Sequence, residues 1–173
     1  MLFFAWGFAE GTVAPVVPDV GLGLLALATP AALAGPLIAA VCGGVAGGLL
    51  LALVARARPA VVRRIVVAQP GLGAAGLAAT HRRLERLGAV RGFGQVGPGA
   101  PLKAYVAALL EQRPSAALST VTALAMLNRA TRLGPVVAAF AILGAVLRPL
   151  ELATAPLVVA YCLGWAAFLA VFW

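Results

Sequence analysis

The chain has 173 residues, 63% of them hydrophobic and only 10% charged, with thirteen Lys and Arg against five Asp and Glu and a net charge of +8. A soluble domain of this length carries roughly 25% charged residues, so an ordinary water-soluble protein is excluded and a single-domain, all-α integral membrane protein over residues 1–173 is expected. Apolar runs without period-two alternation exclude a membrane barrel, and the basic residues, confined to 56–148 between those runs, read as topogenic charge facing anionic headgroups, with no nucleic-acid face.

The first segment, residues 2–28, is almost wholly apolar, yet it holds Glu10 and Asp19 and is interrupted by Pro15 and Pro18. Proline removes a backbone donor and breaks a helix, and broken backbone at membrane depth survives only where protein or water surrounds it. The segment is therefore expected to be a re-entrant helical hairpin. A charge at that depth costs at least ~2.5–3.5 kcal/mol, which makes Glu10 and Asp19 functional candidates. The plainer alternative is that Thr12 or Asp19 caps a helix start, with Glu10 near an interface. Residues 1–9 carry no basic region, so no cleavable signal peptide is expected.

Residues 30–55 are long enough for a transmembrane helix, and Gly43-Gly44-Val45-Ala46-Gly47-Gly48 within them offers a small-residue face for close helix packing, which would permit a homodimer. Residues 56–91, opened by Arg56, Arg58, Arg63 and Arg64, are expected to be cytoplasmic and interfacial. There Thr80 is placed to cap a short basic helix and Gly88 to stop it, with Leu84 and Leu87 on one face and Glu85 paired with neighbouring arginines. Residues 92–112 are apolar but studded with glycine and proline, including Pro98 and Pro101, and then carry Lys103. They are expected to form a second re-entrant hairpin. In residues 115–147 a helix is expected to end at Asn128–Arg132, so this stretch is either one kinked crossing or two shorter elements. Residues 150–173 form a C-terminal transmembrane helix ending on Trp173, an interfacial residue type, and Glu111 and Glu151 read as helix-end residues.

Broken segments in corresponding positions of two halves point to a transport site near the bilayer midplane. Two carboxylates held together can share a proton, a route to proton coupling, while Lys103 or Arg129 would oppose them with positive charge. Cys42 and Cys162 have no CxxC spacing and read as packing residues. His81 is the sole histidine, so no metal, cofactor or catalytic activity is expected.

Phe8-x-Glu10-Gly11-Thr12-x-x-Pro15-x-x-Pro18-Asp19 resembles the opening signature of the DedA (VTT-domain, SNARE-associated) membrane proteins, in particular their short YqaA-like branch. The resemblance covers residues 3–147. It continues through the Gly43–Gly48 helix, through Pro101-Leu102-Lys103 with Ala107-Ala108, similar to that branch's Pro-aromatic-Lys motif, and to Arg129-x-x-Arg132. Where larger members carry Arg-Phe-x-Pro-x-x-Arg, this chain has Gln95-Val96-Gly97-Pro98, which leaves Lys103 as the cation of the second hairpin. The resemblance implies two opposed re-entrant hairpins with about three to four transmembrane helices in a bacterial cytoplasmic membrane. It also implies flippase- or scramblase-like movement of an anionic lipid, such as undecaprenyl phosphate or a phospholipid. On it, Glu10 and Asp19 match the family's acidic pair, Lys103 falls near an essential basic position, and Arg129 and Arg132 match a basic pair. The alternatives are a proton-coupled small-solute exporter and a non-transporting assembly protein.

Overall fold

Every regular element among the described residues is helical. The computed structural model describes residues 1–12, 18–69, 71–94, 102–147 and 154–172. In chain order these hold α1 (Leu2–Thr12), α2 (Asp19–Ala28), a 3-10 turn (Pro30–Ala32), α3 (Ala34–Ala57), α4 (Pro59–Val67), α5 (Gly73–Gly94), α6 (Leu102–Gln112), α7 (Leu118–Leu147) and α8 (Thr154–Phe172). Two of them, α3 and α7, are long and apolar enough to cross a membrane. Their 24 and 30 residues make about 36 and 45 Å of helix, against a hydrocarbon core of about 30 Å. Large apolar side chains stand outward on α3, α7 and α8, with Ile38 63%, Ile142 65% and Leu163 64% exposed.

The glycines of α3 are where α1 lies. A Cβ on Gly43 would strike the Phe4 carbonyl oxygen, one on Gly7 would strike that of Ala40, and one on Gly11 would sit 2.7 Å from that of Gly44. Only glycine lets two helix backbones come this close, and the contact between them is then dispersion and carbonyl packing. The Gly43–Gly48 face is thus a packing surface as expected, but its partner is Gly7 and Gly11 of the same chain, so it is not the seat for a second copy. Phe4 lies beside Gly43 and Phe8 beside Gly47, so α1 and α3 run in the same direction. Along α7, Arg129 meets Gly44 and Ala125 meets Gly48, so α7 runs against α3. Leu102 also reaches Gly48, while Leu110 and Arg56 line one cleft, so α6 starts at mid-α3 and runs to its C-terminal end. The short helices α1, α2 and α6 have 11, 10 and 11 residues, about 15–17 Å each.

Several expectations are corrected. Residues 118–147 form one continuous helix that does not end at 128–132. Pro135 lies within it and leaves Thr131 O without an intrahelical donor, and Thr131 Oγ1 bonds back to Leu127 O (2.8 Å). The helix continues because Arg129 and Arg132 turn inward to partners and do not end it in water. Thr80 does not cap a helix. It sits inside α5, with Oγ1 donating to Gly76 O at 2.9 Å. Gly88 does break that helix, at φ 70° and ψ 170°, a conformation essentially reserved to glycine. Neither Thr12 nor Asp19 caps a helix: Thr12 Oγ1 donates to Phe8 O and Ala9 O at the end of α1, and α2 has no side-chain cap. Cys42 and Cys162 are free and exposed, so they are not packing residues.

Two apolar cores flank the middle of the fold. One gathers Leu51, Val62, Val66, Leu84, Val106 and Leu124 at one end. The other gathers Leu22, Ala26, Ala40, Leu133 and Val137 at the opposite end. On α7 the residues between these cores include Arg129 and Arg132.

Candidate functional site

Arg129 and Arg132 stand three residues apart on α7 and so share one face of that helix. Arg129 is 1% exposed and Glu10 6%. Arg129 Nη1 donates to Glu10 Oε2, and Arg132 Nη1 donates to Glu10 Oε1 at 2.9 Å. With its other arm, Nη2, Arg132 donates to Asp19 Oδ2 at 3.0 Å. One arginine thus joins both carboxylates, and one carboxylate joins both arginines. Asp19 is 3% exposed, whereas the Arg132 side chain is 36% exposed, so the cluster reaches the surface through Arg132. Lys103, on the first turn of α6 and 2% exposed, lies close enough that the charges of Glu10, Arg129 and Arg132 all act on it.

The backbone builds this cluster through missing side chains. A Cβ at Gly44 would lie 2.6 Å from Arg129 Nε and 3.0 Å from its Cζ, so the guanidinium occupies the space that glycine leaves on α3. Among the described residues, Arg129 Nε and Nη2 and Asp19 Oδ1 are buried without a hydrogen-bond partner. Buried polar groups in that state are costly to keep, about 1–3 kcal/mol each. The start of α2 is held from α8: Tyr161 Oη donates to Val20 O (2.9 Å) and lies 3.2 Å from Asp19 O. Tyr161 reaches them because Gly23 has no Cβ to block it, and Phe140 packs edge-on against its ring. Tyr161→Phe should lower the unfolding free energy in detergent by about 0.5–1.5 kcal/mol, the range for one hydrogen bond. An unchanged denaturation midpoint would show that the hydroxyl does not hold α2.

The structure therefore brings together Glu10, Asp19, Arg129 and Arg132, with Lys103 beside them. Pro18, just before α2, is fully buried, and Pro15, Pro98 and Pro101 lie outside the described residues. Among the described residues no group of three or more His, Cys, Asp or Glu could hold a metal ion. Sequence reasoning read Gly44 only as part of a helix-packing face and missed its place beside Arg129, and it missed Gly7 and Tyr161. It also missed a second polar group, in which His81 Nε2 bonds Glu111 Oε2 at 2.8 Å and Arg83 Nη1 donates to Tyr105 Oη at 3.1 Å. Comparison with protein-family models, curated proteins and solved structures finds no match to this chain.

Proposed function

We propose that the chain is a lipid transporter of flippase or scramblase type, which moves an anionic lipid such as undecaprenyl phosphate or a phospholipid across a bacterial cytoplasmic membrane. The observation that carries this reading is a cluster of three cations and two carboxylates, buried except at Arg132, at mid-length of the two helices able to cross a bilayer. Gly44 is the eleventh of 24 residues in α3, and Arg132 the fifteenth of 30 in α7. In a bilayer the cluster would lie near the midplane, where transporters place their substrate sites. On this reading α1 with α2 enters from one face and α6 with the end of α5 from the other. Each would be a re-entrant pair about half the ~30 Å core in depth, as the resemblance to DedA proteins implies.

The surplus positive charge suits a phosphate. Arg129 and Arg132 already neutralise the carboxylates, which weighs against a small cation as substrate. A phosphate that takes the arginines displaces Glu10 from them, which makes Glu10 the residue through which lipid movement would be linked to proton movement. The test is transbilayer movement of labelled undecaprenyl phosphate and phospholipids in proteoliposomes, with and without a pH gradient. Glu10→Gln should abolish the pH-dependent component, and Lys103→Ala should lower the rate more than about tenfold, equivalent to 1.4 kcal/mol. Equal movement by all three proteins would remove the proposal.

A further inference from the structure

A cleft of about 690 Å³ opens where the α3–α4 elbow faces the end of α6, with Arg56, Ala60, Arg63, Leu110, Glu111 and Pro114 in its wall. Its volume falls within the roughly 300–1,000 Å³ of small-molecule sites. It lies twelve residues along α3 from Gly44, about 18 Å away, and shares no residue with the charge cluster. Arg56 is fixed in place because its Nη2 donates to the Ala116 carbonyl oxygen. Arg63 comes from α4, where Val62 and Val66 are buried while Arg63 and Arg64 face outward. Such a helix lies along an interface, with its stems on apolar ground and its charges in the headgroups.

The one carboxylate in the wall is already engaged. Gln112 Nε2 donates to the His81 carbonyl oxygen at 3.1 Å and lies 3.2 Å from His81 Nδ1, so that ring nitrogen accepts. His81 Nε2 therefore carries the hydrogen and donates it to Glu111 Oε2. The cleft thus presents two guanidinium groups, one occupied carboxylate and an apolar wall of Leu110 and Pro114.

We infer that this cleft binds the phosphate headgroup of an anionic glycerophospholipid from the adjacent leaflet. Arg56 and Arg63 take the phosphate, and Leu110 and Pro114 pack against the glycerol and the first acyl carbons. The inference rests on the membrane reading above but not on transport. Arginine is suited to the task because its planar fork pairs two phosphate oxygens at once.

The test uses the full chain in neutral detergent. Native mass spectrometry would follow retention of dioleoyl phosphatidylglycerol, with dioleoyl phosphatidylcholine, glycerol 3-phosphate and inorganic phosphate as competitors. One phosphatidylglycerol per chain should be retained in preference to phosphatidylcholine. Arg63→Glu should weaken it about tenfold or more, since each surface cation contributes about 1 kcal/mol and the change reverses one. Ala60→Trp, which fills the rim and keeps both arginines, should do the same. Retention equal for both lipids, or unchanged in both variants, would overturn the site. Displacement of the lipid by free phosphate at equal concentration would overturn the lipid as ligand. A chain that stays monodisperse without detergent would overturn the membrane reading itself.

Discussion

Glu10→Ala is expected to destabilise the protein by about 3–5 kcal/mol, the largest effect of any single change in the charge cluster. Glu10 accepts from both arginines, and Arg129 is 1% exposed. Without the carboxylate, a guanidinium stays buried with no other carboxylate bonded to it among the described residues, and that uncompensated charge is the main cost. Arg132 suffers less, since it keeps Asp19 and is 36% exposed. The same reasoning predicts that Arg129→Met in the Glu10→Ala background recovers part of the loss. Residues joined in one buried pair couple by about 0.5–3 kcal/mol, so their separate effects do not add. Denaturation of the purified variants, followed by loss of helical circular dichroism, would measure the cycle. Two additive losses, or a Glu10→Ala protein within about 1 kcal/mol of wild type, would show that the pair is not coupled.

Gly44→Ala should also have a large effect, by a different route. The added methyl falls 2.6 Å from Arg129 Nε and 3.2 Å from its Nη2, while the same guanidinium is held by its bond to Glu10. Overpacking of this kind costs typically about 1–3 kcal/mol. Here it should also push Arg129 away from Glu10, so on the proposed function lipid movement should fall along with stability. Gly43→Ala should act through the backbone by forcing α1 off α3, because its methyl meets the Phe4 carbonyl. Gly164→Ala on α8 meets nothing within 4 Å and should leave both properties intact. Melting temperature and transport rate for the three variants would check the order. A harmless Gly44→Ala would mean that Arg129 does not need that space.

Much of the site was legible because charge stands out in an apolar background. Glu10, Asp19, Lys103, Arg129 and Arg132 are few enough among apolar neighbours to be singled out by type alone. Their pairing was not legible, since Glu10 and Arg129 are 119 positions apart and nothing local encodes that meeting. Glycine carried a similar ambiguity. The Gly43–Gly48 run announces a close helix contact, but a small-residue face says nothing of whether its partner is another chain or, as here, Gly7 and Gly11. Local signals also misled where tertiary partners outweighed them. The polar run Asn128–Arg132 looked like a helix end, yet inward-facing carboxylates let the helix pass through it. Thr80 looked like a cap, yet its hydroxyl is satisfied one turn back. Tyr161 gave no signal, because one tyrosine in an apolar helix is indistinguishable from packing until Gly23 is seen beneath it.

The most direct test of a midplane charge cluster is its depth. With Cys42 and Cys162 changed to Ser, single cysteines at Leu2, Arg113 and Ala130 would carry spin labels in lipid nanodiscs. Ala130 is exposed and sits between the two cluster arginines, while Leu2 and Arg113 are exposed at the start of α1 and just after α6. The proposed architecture predicts a label at 130 near the bilayer centre, open to oxygen and closed to a water-soluble nickel reagent. Leu2 and Arg113 should be labelled by an impermeant maleimide from opposite sides of the membrane. A water-exposed label at 130, or Leu2 and Arg113 on the same side, would contradict it.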